Sequence, residues 1–143
     1  MGRLRIVLDV NVLVSGLIVA GKPRELIQRG MDRQFTLILS NPILEEFADV
    51  ISRQKFARYV DKRDVKTYIE FLDQIACYAD IRSRFRIIKE DPSDDIILWT
   101  AFDSKADYVV SGDKHLLEMG RYRGIEIVSV DDVLDLLGRK YIL

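Results

Sequence analysis

The sequence predicts a three-layer α/β/α domain in which helices cover both faces of a central, mostly parallel sheet. Short aliphatic and β-branched runs alternate along the chain with segments whose apolar residues recur at helical spacing. The first run, residues 5–8, is apolar without alternation, which is typical of an interior parallel strand. With 143 residues, the chain can bury one substantial core, so we expect a single domain spanning residues 1–143.

Four strands are predicted, and each is followed by a turn signal or by a polar residue. They are residues 5–8, 35–39, 108–110 and 125–128. The segment 82–89 alternates basic and apolar residues, and its pattern fits either a short strand or an extended loop. The strands therefore alternate with helical segments, which is the order that produces parallel pairing.

Helical segments are predicted from start signals and from the spacing of apolar residues. Pro23 suits the first turn of a helix that follows the turn at Gly21. Asn41 can cap the next helix, and Pro42 can take its first position. The residues Asp91 to Ser93 give a turn and a cap before a helix whose inward residues are Ile97, Leu98, Ala101 and Phe102. After the apolar residues 12–19, the predicted helices are residues 23–33, 42–51, 64–77, 94–105, 114–119 and 131–137.

The composition limits the classes of function that fit this chain. The 22 basic and 23 acidic residues give a formal net charge of -1, so any contact with nucleic acid must be local. Cys77 is the only cysteine, which excludes an intramolecular disulfide, and we expect it to be a buried thiol in a helix. Asp9 and Asn11 interrupt the first apolar run, and no run approaches the roughly 18 apolar residues of a membrane span. We therefore expect a cytoplasmic protein without a membrane partner.

Four acidic residues stand where the strands and helices of a parallel sheet converge. Asp9 and Asp113 follow predicted strands, and Glu46 and Asp94 lie near helix starts. Taken singly, a strand-end aspartate is often only a helix cap, and Glu46 would be a solvated helix residue. Taken together, crowded carboxylates repel one another unless cations neutralise them. The sequence therefore predicts a site for one or two Mg²⁺ or Mn²⁺ ions, which could activate water for phosphodiester hydrolysis without a protein nucleophile.

Four segments in this order resemble the motifs of PIN domains. The Ser111-Gly112-Asp113 block is the most specific part of them, and each motif alone is weak. The resembling segments are residues 9–17, 40–47, 91–101 and 106–117. The resemblance implies a metal-dependent endonuclease that cuts single-stranded or structured RNA. It is strongest to the small, single-domain VapC-type toxins, which implies a protein antitoxin as a partner and a homodimer or higher homo-oligomer.

The resemblance also assigns site residues by position. The catalytic and metal-binding acids are Asp9, Glu46, Asp94 and Asp113, with Asn11 and Ser111 as supporting polar groups. Glu46 is preferred to Glu45 because it directly precedes an apolar residue, Phe47. Asp94 is preferred to Asp95 because it stands seven residues before Ala101 and shares a helix face with it, while Asp95 remains an alternative or additional ligand.

Basic residues are densest directly after the predicted helix that carries Glu46. They could contact phosphates beside the metal site, although a charged run is usually only a solvated face. The RNA-binding candidates are Arg53, Lys55, Arg58, Lys62 and Arg63. His115 follows the fourth motif, and we expect it to be structural or exposed because activated water needs no imidazole.

Two other functions remain open at the level of sequence. Residues 9–12 resemble the Asp-x-Asp-x start of haloacid-dehalogenase-like phosphatases, but Asn11 replaces the second aspartate and would remove the general acid/base. A catalytically silent PIN-like module that binds RNA or protein is the main alternative without enzyme activity.

Overall fold

The computed structural model describes residues 3–82 and 92–138. The strands in this part of the chain are β1 (Arg5–Leu8), β2 (Thr36–Leu39), β3 (Cys77–Tyr78), β4 (Tyr108–Val110), β5 (Arg121–Tyr122) and β6 (Ile125–Val128). The helices are α1 (Val10–Ile18), α2 (Lys22–Met31), α3 (Asn41–Ile51), α4 (Gln54–Ala57), α5 (Lys62–Ile75), α6 (Pro92–Asp103), α7 (Lys114–Met119) and α8 (Val130–Leu137). No helix among these is long and apolar enough to cross a membrane.

The strands form one sheet in the order β3-β2-β1-β4-β6-β5. Every pair is parallel except β5 with β6, which is antiparallel. Val7 of β1 lies opposite Ile38 of β2 on one side and Val109 of β4 on the other. From β1 the chain adds β2 and then β3 on one side of the sheet, and it adds β4 on the other side of β1. The direction in which strands are added therefore reverses between β1 and β4. The carboxyl ends of these two strands therefore border the crevice where open parallel sheets bind ligands.

The core lies along the central strands and the helices that cover them. Ile6, Val7 and Leu8 of β1 are fully buried, as the unbroken apolar run predicts for an interior strand. Helix α6 packs against β1, β2 and β4, and α7 packs against β6. Helices α1, α2, α3, α5 and α8 contact one another. The mostly parallel sheet flanked by helices confirms the predicted fold class.

Helix α1 is held at its carboxyl end by groups from other helices. The Arg24 guanidinium donates to the carbonyl oxygens of Gly16 and Leu17 at 2.9 and 2.7 Å. The phenol of Tyr68 on α5 donates to the carbonyl oxygen of Leu13 at 2.8 Å. Burial raises the pKa of Tyr68 well above its ordinary value, although the nearby charge of Arg24 acts in the opposite direction. These contacts fix the helix that begins directly after Asp9.

The predicted strands agree closely with the structure. β1, β4 and β6 have the predicted bounds, and β2 begins one residue later than predicted. The two-residue strands β3 and β5 were not predicted, because so short a segment shows no periodicity. Cys77 lies exposed in β3, so the prediction of a buried thiol in a helix was wrong. The reason is that α5 ends at Ile75 and Ala76 is extended, which starts an edge strand.

The predicted helix boundaries need three corrections. Ser40, not Asn41, caps α3: its Oγ accepts a hydrogen bond from the backbone N–H of Ile43 at 3.4 Å, and its extended backbone suits a cap. Helix α6 begins at Pro92, because proline suits a first helical position, and it ends at Asp103. Phe102 is 38% exposed rather than inward, and its ring lies 5.1 Å from the Arg123 guanidinium.

Smaller differences occur at the ends of other helices. Helix α2 ends at Met31, since Arg33 adopts a left-handed backbone with φ of 60°. The helix predicted for residues 64–77 begins two residues earlier, after the cap formed by Asp61. The predictions for residues 83–89 and for Asp91 lie outside the described residues.

Candidate active site

A cavity of about 190 Å³ lies at the carboxyl ends of β1 and β4. All four predicted acids line it, together with the predicted supporting residue Asn11. The complete lining is Asp9, Val10, Asn11, Glu46, Val50, Arg53, Lys55, Phe56, Asp94 and Asp113. We refer to this space as the acidic cavity. Residues up to 104 positions apart in the sequence are therefore brought to one place by the reversal of strand order.

Asp9 is held rigidly at the end of β1. Its backbone N–H donates to the carbonyl oxygen of Val110 at 2.9 Å, which extends the pairing of β1 with β4. Its Oδ1 accepts from the N–H of Val10 at 2.7 Å and so caps α1. Its Oδ2 accepts from the Oγ of Ser111 at 2.7 Å. The carboxylate is 5% exposed, so these charge-assisted bonds act in a site largely shielded from water.

Ser111 connects the two acids that follow strands. It is fully buried, and its hydroxyl donates to Asp9 while its Oγ accepts the backbone N–H of Asp113 at 2.9 Å. Asp113 in turn caps α7, because its Oδ1 accepts from the N–H groups of His115 and Leu116 at 2.7 and 3.2 Å. The capping function expected of a strand-end aspartate is thus present at both positions. It also fixes both carboxylates at the cavity.

The other two acids come from helices. Glu46 is half-buried on α3, on the face that also directs Val50 to the cavity, while its neighbour Glu45 is exposed and does not line it. Asp94 is buried in the first turn of α6. Asp95 is buried as well, but it is not among the lining residues.

A chain of buried hydroxyl groups joins the helices that carry Glu46 and Asp94. Thr100 Oγ1 donates to the carbonyl oxygen of Ile96 at 2.8 Å, so the 2.8 Å contact between Ser40 Oγ and Thr100 Oγ1 has Ser40 as its donor. Ser40 Oγ also accepts the N–H of Ile43. The sequence did not single out Thr100. The signal that could have found it is a hydroxyl residue placed among the apolar inward positions of a helix.

Positive charge reaches the acidic cavity from one segment. Arg53 and Lys55 line it. The Arg53 guanidinium also pairs with the Asp49 carboxylate at 3.2 Å. The Lys55 Nζ lies 4.9 Å from the ring centre of Phe56. The other three basic candidates do not line this cavity. Arg58 is exposed, Lys62 lines a separate apolar cavity, and Arg63 lies 3.8 Å from Asp61. His115 is exposed and does not line the acidic cavity, in agreement with the prediction.

The carboxylates share the cavity but do not form a compact cage. Within residues 3–82 and 92–138, no group of three Asp, Glu, His or Cys side chains is close enough to hold one ion. The sequence led us to expect a tighter cluster. The donor set still fits Mg²⁺ or Mn²⁺, because all of its polar ligands are oxygens and Mg²⁺ commonly keeps several waters and uses only one or two carboxylates.

Comparison with known proteins agrees with this architecture. The family model described as PIN domain matches residues 5–115, a range that contains every residue of the acidic cavity. No curated protein has a sequence that matches this chain. Two solved structures show a similar fold at low identity.

The first is the crystal structure of VapBC2 from Rickettsia felis bound to a DNA fragment from their promoter. One of its chains is 12% identical and superposes with a TM-score of 0.60 over 88% of this chain and 98% of its own length. The second is a domain of a functionally unknown protein from Methanocaldococcus jannaschii DSM 2661. It is 18% identical, with a TM-score of 0.55 over 87% of this chain and 89% of that domain. At these identities the likeness concerns the fold.

Proposed function

The chain belongs to the PIN domain family, whose members are generally nucleases, and on that premise we propose that it is a divalent-metal-dependent endoribonuclease. We further propose that it acts in the cytoplasm as the toxin of a toxin-antitoxin pair. The similarity of its fold to a chain of VapBC2 supports the second proposal.

One observation carries the proposal of nuclease chemistry. Asp9, Glu46, Asp94 and Asp113 line a single cavity of about 190 Å³, and Arg53 and Lys55 line the same space. A cation bound in this cavity would offset the negative charge of the four acids that line it. Two positive side chains beside them can contact the phosphates of an RNA strand that the acids alone would repel.

The four acids are the residues that would hold one or two Mg²⁺ or Mn²⁺ ions. Such an ion supplies activation of water and neutralisation of charge on the phosphate. The protein supplies fixed positions: the Ser111 hydroxyl and the Val10 N–H orient Asp9, and the first turn of α7 orients Asp113. Arg53 and Lys55 orient the phosphates on either side of the reacting one.

The reaction is an in-line hydrolysis. The oxygen of a water molecule bonds to phosphorus while the bond from phosphorus to the 3′ oxygen breaks. The attacking water releases one proton to the solvent and the leaving 3′ oxygen takes up one from it, so the products carry a 5′-phosphate and a 3′-hydroxyl. No serine, cysteine or histidine needs to become covalently attached to the substrate.

The test is sequencing of the ends produced when cellular RNA is incubated with the protein and Mg²⁺ or Mn²⁺. We expect 5′-phosphate and 3′-hydroxyl ends with wild type and none with Asp113→Asn. The adjacent pair of glutamates provides a matched control: Glu46→Gln should lower the rate by at least about 100-fold, while Glu45→Gln should cleave at the wild-type rate. Equal rates for the two variants would contradict the assigned site.

A second readout separates an enzyme from a silent binding module. We expect Mn²⁺ to raise the thermal unfolding temperature of wild type and to have a smaller effect on Asp9→Asn. A protein that binds RNA, gains no stability from Mn²⁺ and leaves RNA intact would be the non-catalytic module. Hydrolysis of a small phosphomonoester would instead favour the phosphatase alternative.

The proposed partners are a protein antitoxin and further copies of this chain. The VapBC2 structure is a complex bound to promoter DNA, and we propose an antitoxin here on the basis of that likeness. Co-expression with the product of a neighbouring gene should yield a stable complex that suppresses RNA cleavage. Analytical ultracentrifugation of the isolated chain should show a homodimer or higher oligomer.

A further inference from the structure

A second cavity, which we call the side cavity, adjoins the acidic cavity near the carboxyl ends of β4 and β6. Its volume is about 350 Å³. Asn11, which is exposed, lines both cavities, and Ser111, whose hydroxyl holds Asp9, also lines the side cavity. Asn11 therefore lies between the two cavities.

The side cavity is built by the starts of three helices. Asn11 and Ser15 lie one turn apart on α1, so they lie on the same face of that helix. Lys22 and Pro23 begin α2, and Ser129 caps α8 by accepting the N–H of Asp132 at 3.1 Å. Lys22 Nζ and Asp131 Oδ1 pair at 2.6 Å, which ties the start of α2 to the first turn of α8.

The chemistry of this lining differs from that of the acidic cavity. Its walls are largely aliphatic, formed by Val12, Pro23, Leu117 and Val130. Its polar groups include the hydroxyls of Ser15 and Ser129, which can donate as well as accept hydrogen bonds. The two charged residues in its lining, Lys22 and Asp131, neutralise each other. The side cavity thus favours a neutral, mostly apolar group with hydrogen-bonding edges over a phosphate.

We propose that the side cavity binds one unstacked nucleobase of the substrate, next to the phosphate that is cut in the acidic cavity. This inference rests on the proposed nuclease function. The volume falls within the roughly 300–1,000 Å³ typical of small-molecule sites. Aliphatic walls cover the faces of a planar ring, and hydroxyls match the mixed donors and acceptors on base edges. Arg53 and Lys55 line the acidic cavity and not the side cavity, where the one cation of the lining, Lys22, is paired with Asp131.

The first arm of the test is cleavage of short single-stranded oligoribonucleotides in which each position around the cut is made abasic in turn. For wild type, the abasic change at one position should lower the rate at least about 5-fold, as expected when one hydrogen-bonded group of the substrate is lost. Ser15→Leu, which places a larger apolar side chain at the cavity wall, should cut intact RNA more slowly by a similar factor and show little further loss with the abasic substrate. Ser15→Ala keeps the cavity open and should retain the abasic penalty.

The second arm does not depend on cleavage. Nucleoside 5′-monophosphates are titrated into wild type and followed by amide NMR shifts, with inorganic phosphate as the comparison probe. Nucleotides, but not phosphate, should shift the amides of Ser15, Leu117 and Val130. Ser15→Leu and a second variant with a larger apolar side chain, Val130→Phe, should lose these shifts while their unfolding temperatures show that they remain folded.

The outcomes separate the two proposals. If wild type cuts RNA but no abasic position matters, or if phosphate and nucleotides cause the same shifts, the base site is wrong and the nuclease stands. If nucleotides shift the side-cavity amides but RNA is never cut, the nuclease is wrong and the base site stands. If Ser15→Leu changes only the oligomeric state, the cavity is a protein interface and the base site is overturned.

Discussion

The buried hydroxyl pair between Ser40 and Thr100 should contribute measurably to stability, because it joins the helices that carry two of the acids. Both residues are fully buried. In Thr100→Val, a nearly isosteric change, the Ser40 hydroxyl loses its acceptor, and leaving a buried donor unpaired costs about 1–3 kcal/mol. In Ser40→Ala, the N–H of Ile43 loses its cap and Thr100 loses a donor, for a cost of about 1 kcal/mol.

The double variant distinguishes a coupled pair from two independent residues. Once Ser40 is alanine, removing the Thr100 hydroxyl leaves no unpaired donor on Ser40. The double variant should therefore be less destabilised than the sum of the single variants, by about 1 kcal/mol. The free energy of unfolding is measured with urea, on the condition that the slope with denaturant is unchanged. Thr100→Ser keeps the hydroxyl and should retain most of the coupling with Ser40. Additivity within about 0.5 kcal/mol would refute the reasoning.

Three further predictions follow from buried contacts. Ser111→Ala removes the hydroxyl that donates to Asp9 and accepts the N–H of Asp113. It should lower the rate at which intact RNA is cleaved by about 10- to 100-fold. An unchanged rate would show that Ser111 does not position these two acids. Gly16→Ala places a Cβ 2.8 Å from Ile27 Cγ1 and 3.1 Å from Tyr68 Oη, so it should destabilise the fold by about 1–3 kcal/mol in urea unfolding. The pKa of Tyr68 is raised in the folded state. Its contribution to the free energy of unfolding is therefore fully present below pH 10.0, the ordinary pKa of tyrosine, and above that pH it falls by up to about 1.4 kcal/mol per pH unit. Tyr68→Phe should show a shallower decline in unfolding free energy above that pH, and parallel curves would contradict the assignment.

The fold could be predicted because its central strands are unusually clear in the sequence. Residues 5–8, 108–110 and 125–128 are apolar runs next to turn signals, and they form β1, β4 and β6 with the predicted bounds. Helix ends were harder, since a cap depends on geometry that several adjacent polar residues can satisfy. At α3, both Ser40 and Asn41 are suitable caps by residue type. Ser40 takes this position because it directly follows β2 with an extended backbone and its hydroxyl is hydrogen-bonded to Thr100.

Two of the acids at the site could be predicted because the strands before them are clear in the sequence. Asp9 and Asp113 come after the carboxyl ends of two neighbouring strands, β1 and β4. Glu46 and Asp94 were selected by the resemblance to PIN domain motifs. All four acids line the acidic cavity. Of five basic candidates, Arg53 and Lys55 line it, while Arg58 follows α4 and Lys62 and Arg63 begin α5, away from this cavity. A run of charges in the sequence does not show which of its members faces a cavity.

Local residue patterns alone predicted four of the six described strands and the family motifs, and those motifs supplied the candidate acids, because periodicity and turn chemistry act over a few neighbouring residues. Tertiary structure decided what those patterns cannot encode: the exposure of Cys77, the hydroxyl chain through Thr100, the spacing of the carboxylates and the cavity beside Asn11. Each of these depends on contacts between segments far apart in the chain. The pairing of β3 with β2 places Cys77, and the reversal of strand order between β1 and β4 brings together the ends of the elements that line the cavities.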